Sequence, residues 1–141
     1  MPPLLTQLIA SAALALACVL IHGAGVAGIA HALGLDRERR RVRRLHPRTI
    51  AVLSGVALLL FALHLAEIAL FALFYLAVGA LAGIEQALFF SASAYATLAQ
   101  PETDFPASWR VLGALEGLVG FLLIGWSTAF FVSDMNKLLR E

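Results

Sequence analysis

Three long runs of apolar residues constrain this chain more than any other feature. Residues 4–35 contain no Lys, Arg, Asp or Glu, while residues 49–83 and 111–133 contain one charged residue each, Glu67 and Glu116. A helix crosses the hydrocarbon core of a bilayer with about 20 predominantly apolar residues. The whole chain is 61% hydrophobic and 13% charged, whereas soluble domains are about 25% charged. The sequence therefore predicts an all-α integral membrane protein with three transmembrane helices.

A fourth run, residues 84–99, is short and polar for a span. It carries Glu85, Gln86, Ser91, Ser93 and Thr97, and a loop with Pro101, Glu102 and Asp104 follows it. A segment that enters a bilayer and returns on the same side must bury its backbone polar groups in protein or around water. We therefore expect a re-entrant helix and loop between the second and third spans.

The distribution of basic residues predicts an orientation. Seven of the ten Lys and Arg residues lie between Arg37 and Arg48. Short basic loops stay in the cytoplasm, so the first two spans are expected to form a hairpin with this loop inside and the N-terminus outside. With a re-entrant fourth run, the third span returns Lys137 and Arg140 to the cytoplasmic side. The expected partners are the lipid bilayer and further copies of the chain, and not nucleic acid.

His64 and Glu67 are the most notable polar pair within a predicted span. Their i, i+3 spacing places them on one helix face, and ionisable residues inside membranes mark functional sites by default. Two interpretations remain open, a proton or cation relay and a hydrogen-bonded clasp to a neighbouring helix or to the re-entrant segment. Neither this pair nor His22 and His31 on the first span forms a recognisable metal pattern. We expect no metal, no cofactor and no catalytic residues, and therefore not an enzyme.

The third span carries one acidic residue and a seam of small residues. Glu116 either faces a water-filled vestibule or pairs with Arg110, and the sequence does not separate these alternatives. Three glycines lie at short intervals around it, at Gly113, Gly117 and Gly120. Such spacing lets helices approach closely, which favours a packing role over the alternative of a bending point for gating.

The expected direction of the re-entrant helix favours cations. Glu85 lies in its first turn, where the helix dipole stabilises a negative charge. Its C-terminal end, at residues 95–98, is expected to point into the membrane. That end carries about half a negative elementary charge, so it attracts a cation and not an anion.

Residues 65–135, about half of the chain, resemble the pore domain of the potassium-channel superfamily. Residues 85–91 resemble its pore helix, Thr97-Leu98 resembles the start of its selectivity filter, and Glu102 falls where an Asp follows the filter's Gly-Tyr-Gly. Trp109-Arg110 and the run from 115–118 through 125–128 resemble the inner helix of small bacterial members. The resemblance implies a tetramer around a fourfold axis in a bacterial inner (plasma) membrane.

The resemblance also divides the single membrane domain, 1–141, into five segments. These are an extra N-terminal span at 1–35, a cytoplasmic basic loop at 36–48, an outer helix at 49–83, a pore helix and filter-like loop at 84–108, and an inner helix at 109–135.

The centre of the filter-like loop departs from the family's pattern. Ala99, Gln100 and Pro101 stand in place of Gly-Tyr-Gly. Potassium filters replace the ion's water with rings of backbone carbonyls, in a backbone conformation that glycine adopts and Ala99 resists. Pro101 has a fixed φ and no N–H to tie the strand to its surroundings. Strong potassium selectivity is therefore not expected.

Two functions are compatible with these residues. In the first, four chains surround a wider pathway for monovalent cations, with rings of Glu102 and Asp104 at the outer mouth. Selectivity is then poor or rests on side chains such as Thr97 and Gln100. In the second, the loop closes the axis and the protein is a non-conducting pseudo-channel with a structural, sensory or interaction role.

Overall fold

The structure, a computed structural model, describes residues 3–33, 47–98 and 107–139. These residues form four helices and a short 3-10 turn, with no strand in the described ranges. The elements are α1 (Leu4–Leu33), α2 (Pro47–Ala77), α3 (Ile84–Tyr95), the 3-10 turn (Ala107–Trp109) and α4 (Arg110–Leu139). Helices α1, α2 and α4 are long and apolar enough to cross a membrane, which confirms the prediction of three transmembrane helices. Helix α3 has only 12 residues.

Contacts along the long helices define their directions. Near the start of α1, the side-chain oxygen of Gln7 accepts a hydrogen bond of 3.2 Å from the backbone N–H of Val111, near the start of α4. Further along the same two helices, His22 lies 3.3 Å from Ser127, so α1 and α4 are parallel. Helix α2 is antiparallel to both. We call the end at which α1 and α4 begin and α2 ends the Gln7 end of the bundle.

The turn that ends α2 is built on Gly79, whose φ is 67°. The N–H groups of Gly79 and Ala80 donate to the carbonyls of Leu76 and Tyr75 at 3.1 and 2.9 Å, which is the pattern of a Schellman motif. Glycine fits this left-handed position because it has no Cβ. The helix predicted at 49–83 therefore ends earlier than its apolar run, and the chain reverses before α3.

Helix α3 packs against both α2 and α4. Its C-terminal end touches α4 at two of the three glycines of the predicted seam. A Cβ on Gly120 would lie 2.1 Å from the carbonyl oxygen of Tyr95, and one on Gly117 would lie 3.0 Å from that of Ala94. The third glycine, Gly113, is also buried. Because Gly117 and Gly120 have no side chains, the backbones of α3 and α4 can come into contact.

The bundle buries polar residues beside an apolar core that includes Phe71 and Leu112, and large apolar side chains cover its outside, which is the arrangement that suits lipid. The large side chains that α1 exposes include Leu16 and Leu20, which are 60% and 63% exposed. The buried polar side chains of the described residues are Gln7, Ser11, His22, Thr49, Glu67, Ser91, Ser93, Glu116, Ser127 and Asp134.

Candidate functional site

A buried carboxylate, Glu67, joins three helices near the middle of the bundle. One carboxylate oxygen lies 2.8 Å from Nδ1 of His22 on α1, and the other lies 3.2 Å from Nδ1 of His64, one turn earlier on α2. The hydroxyl of Tyr95, the last residue of α3, donates to Glu67 and lies 2.9 Å from Nδ1 of His64. We call these four residues the Glu67 cluster.

Helix α4 completes the surroundings of the Glu67 cluster. The Nε2 atom of His22 lies 3.3 Å from the hydroxyl oxygen of Ser127. The ring of His22 also lies 5.3 Å from the ring of His64 and 5.2 Å from that of Trp126, measured between centroids. Side chains from all four helices therefore meet at this one point.

A second buried carboxylate, Glu116 on α4, binds the other side of α3. The hydroxyl of Tyr75, near the end of α2, donates to one of its oxygens at 2.6 Å. The hydroxyl of Ser91, one turn before the end of α3, donates to the other oxygen and also lies 2.8 Å from the carbonyl oxygen of Ile68. We call Glu116, Tyr75 and Ser91 the Glu116 cluster.

The two clusters place acidic side chains inside the bundle. Glu67 and Glu116 are both fully buried, and Arg110, the one Lys or Arg whose side chain the structure describes, is exposed. Burial of an unpaired charge is costly, and the cost falls when the charge accepts several hydrogen bonds or meets a cation. Within the Glu67 cluster, only the imidazoles of His22 and His64 can carry a positive charge.

Helix α3 ends in a second Schellman motif, which has an unusual residue at its left-handed position. Thr97 has a φ of 59°, and the N–H groups of Thr97 and Leu98 donate to the carbonyls of Ala94 and Ser93 at 2.9 Å each. Glycine usually occupies this position. A left-handed conformation costs an ordinary residue about 1–2 kcal/mol, so the start of the filter-like loop is locally strained.

Apart from the glycines of α4 described above, the predicted site residues fall into three groups. The intramembrane residues His64, Glu67 and Glu116 all lie in the two clusters, and Glu67 contacts both a neighbouring helix and α3. Thr97 and Leu98 form the turn after α3. The remaining residues of the filter-like loop and outer mouth lie outside the described residues; they are Ala99, Gln100, Pro101, Glu102 and Asp104.

Sequence reasoning missed the partners of both carboxylates. It placed His22 within the first span but gave it no role, and it did not select Tyr75, Ser91 or Tyr95. The sequence carries a signal for His22, because polar residues and a cysteine recur at helical spacing along the first span. All of them are buried in the structure; they are Gln7, Ser11, Cys18 and His22. In contrast, His31 on the same helix is exposed.

No family model, curated protein or solved structure matches this chain. The fold and the site define a helical membrane protein with two buried carboxylate clusters that hold a short helix between longer ones.

Proposed function

We propose that this protein is ion-channel-like, with α3 as a re-entrant pore helix and four chains around a cation pathway. The observation that carries the proposal is the depth at which α3 ends. Tyr95 contacts Gly120, which lies ten residues after Arg110, or about 15 Å along a helix that rises about 1.5 Å per residue. That length is half of the hydrocarbon thickness of about 30 Å. A helix that starts at the Gln7 end and stops at this depth has the geometry of a re-entrant segment.

The contacts of α3 meet the conditions that lipid imposes on such a segment. Backbone groups at membrane depth must be bonded or shielded by protein. The Schellman motif at Thr97 bonds the last carbonyls of α3, and the glycines of α4 shield the carbonyl oxygens of Ala94 and Tyr95. The two clusters fix α3 from both sides, which supports a clasp as the role of His64 and Glu67.

The charge distribution supports cations as the conducted ions. The C-terminal end of a helix carries about half a negative charge, and this end of α3 lies next to the buried Glu67 carboxylate. Rings of acidic side chains favour cations in channels, and Glu102 and Asp104 follow α3 in the sequence. With Ala99-Gln100-Pro101 in the loop, we propose conduction of monovalent cations without strong potassium selectivity.

The proposed orientation places the Gln7 end outside the cell. Helix α1 ends and α2 begins at the opposite end, so the basic segment that contains Arg37 and Arg48 connects them there. Basic loops stay cytoplasmic, and α4 also ends on that side. The filter-like loop then faces the exterior of a bacterial inner membrane.

The experiment is a flux assay on purified protein in liposomes, after native mass spectrometry of the same preparation. We expect four chains per particle and passage of monovalent cations. Glu102→Gln with Asp104→Asn should lower the cation flux. The matched control is Asp36→Asn with Glu38→Gln, which removes the same charge from the loop at the opposite end and should leave the flux unchanged. Monomeric particles would contradict the proposal.

A non-conducting pseudo-channel is the second candidate, and Leu98 favours it. This apolar side chain is 63% exposed in the single chain and follows the end of α3, where it can close an axis between four chains. Vesicles that remain tight under every gradient and voltage would support this candidate. Replacement of Ala99-Gln100-Pro101 by Gly-Tyr-Gly then tests the scaffold, since potassium-selective current would show that only the filter was altered.

A further inference from the structure

The Glu67 cluster contains the side-chain chemistry of a metal site. His22, His64 and Glu67 each offer one ligand atom, and these three atoms lie within 4.8 Å of one another. His22 and Glu67 are fully buried, and His64 is 16% exposed. We propose that these three residues bind a divalent transition-metal cation of the zinc class. This proposal stands whether or not the protein conducts ions.

The distances are close to those that a bound ion requires. Zinc lies about 2.0–2.2 Å from imidazole nitrogen and carboxylate oxygen in tetrahedral sites, so its ligand atoms are about 3.3 Å apart. The Nδ1 atom of His22 is 2.8 Å from one oxygen of Glu67, and that of His64 is 3.2 Å from the other. The three ligand atoms lie within 4.8 Å of one another, so side-chain movements of up to about 1.5 Å bring them to tetrahedral spacing, with water as the fourth ligand.

Ser127 is positioned to fix the orientation of one ligand. An imidazole binds a metal through the nitrogen that has no proton, and its other N–H is usually donated to a nearby acceptor. If Nδ1 of His22 binds the metal, Nε2 carries the proton, and the hydroxyl oxygen of Ser127 lies 3.3 Å from it. The structure therefore supplies an outer partner on α4 for a ligand on α1.

The charge and the donor atoms select the class of ion. A buried carboxylate whose described side-chain partners are two imidazoles and one phenol hydroxyl gains more from a divalent cation than from further neutral hydrogen bonds. Mg²⁺ and Ca²⁺ prefer sites made of oxygen atoms, whereas imidazole suits zinc, copper, iron and nickel. Two imidazoles and one carboxylate therefore favour the second group.

A bound ion would connect the helices that hold α3. Its ligands come from α1 and α2, and the hydroxyl of Tyr95 on α3 lies within hydrogen-bond distance of His64 and Glu67. Metal binding should therefore raise the resistance of the whole bundle to thermal unfolding.

The test uses the tag-free full chain in detergent, stripped with a chelator and titrated with Zn²⁺ alone by calorimetry. We expect one zinc ion per chain, and loss of measurable binding in His22→Gln and in His64→Gln. Ser127→Ala should weaken binding about tenfold, as loss of an outer-shell partner does. The matched control is His31→Gln, which removes an exposed imidazole from the same helix and should bind zinc as the unmodified chain does.

A second measurement keeps the proposal testable where a variant fails to fold. Zn²⁺ should raise the unfolding temperature of the unmodified chain, and Co²⁺ bound in its place should give visible absorption bands typical of a four-coordinate site. No zinc uptake by the unmodified chain would overturn the proposal. Equal uptake by the folded His22→Gln and His31→Gln variants would overturn it as well.

Discussion

Substitution of Gly120 by alanine tests most directly where along α4 the C-terminal end of α3 lies. A Cβ at this position would lie 2.1 Å from the carbonyl oxygen of Tyr95 and 2.8 Å from its ring. Real Cβ atoms do not approach backbone oxygen this closely, so α3 or α4 must move. The obstacle is backbone, which cannot relax by a change of rotamer. We expect Gly120→Ala to displace the end of α3 and destabilise the bundle.

The chain provides a matched series for this substitution on one helix. A Cβ on Gly125 would meet nothing within 4 Å, and one on Gly117 would lie 3.0 Å from the carbonyl oxygen of Ala94. Gly125→Ala should stabilise α4 by up to about 1 kcal/mol, because alanine favours helix over glycine. Overpacking typically costs about 1–3 kcal/mol. Both variants gain the same helix propensity, so Gly120→Ala should be about 1–3 kcal/mol less stable than Gly125→Ala, with Gly117→Ala between them.

The single cysteine supplies the assay. Cys18 is the only cysteine in the chain and is fully buried, so a thiol-reactive fluorophore labels it when the bundle opens. A difference of 1 kcal/mol shifts the midpoint of unfolding by about 2–4 °C for a chain of this size. The midpoints of Gly120→Ala and Gly125→Ala should then differ by about 2–12 °C. A Gly120→Ala variant that unfolds at or above the Gly125→Ala midpoint would refute the contact between α3 and α4.

The same labelling assay checks two further predictions. Tyr75→Phe removes a donor to the buried carboxyl group of Glu116 and should cost about 1–3 kcal/mol, as a buried acceptor that loses its donor does; an unchanged midpoint would mean that this hydrogen bond contributes no stability. Thr97→Gly should stabilise the chain by about 1 kcal/mol, because glycine adopts positive φ without the cost that threonine bears. Thr97→Val, which keeps the branched side chain, is the control and should give no gain.

The sequence predicts the long helices and the shortness of α3 because both depend on local composition. A run of about 20 apolar residues suits a helix in lipid whatever its neighbours are. The end of α2 was harder to predict, since residues 78–83 remain mostly apolar and only Gly79 marks the turn.

The partners of Glu67 were harder to predict for a different reason. His22 is 45 residues away from Glu67 in the sequence, and contact between them depends on the rotation of α1 about its axis. In a soluble helix an apolar stripe reveals that rotation. In α1 the buried face carries Gln7 and Ser11 while Leu16 and Leu20 face outward, so hydropathy alone points the wrong way.

Several contacts hold the residues that precede Thr97 in place. A strained backbone conformation such as that of Thr97 persists only where contacts of the surrounding structure maintain it. Tyr95 is held by its hydrogen bond to Glu67 and by the backbone contact with Gly120, and Ala94 lies against Gly117. These contacts come from α2 and α4, so neither span alone sets the turn. The conformation with which the chain enters the filter-like loop thus depends on the Glu67 cluster and on the glycines, and any of the substitutions above that releases the end of α3 should also relax Thr97.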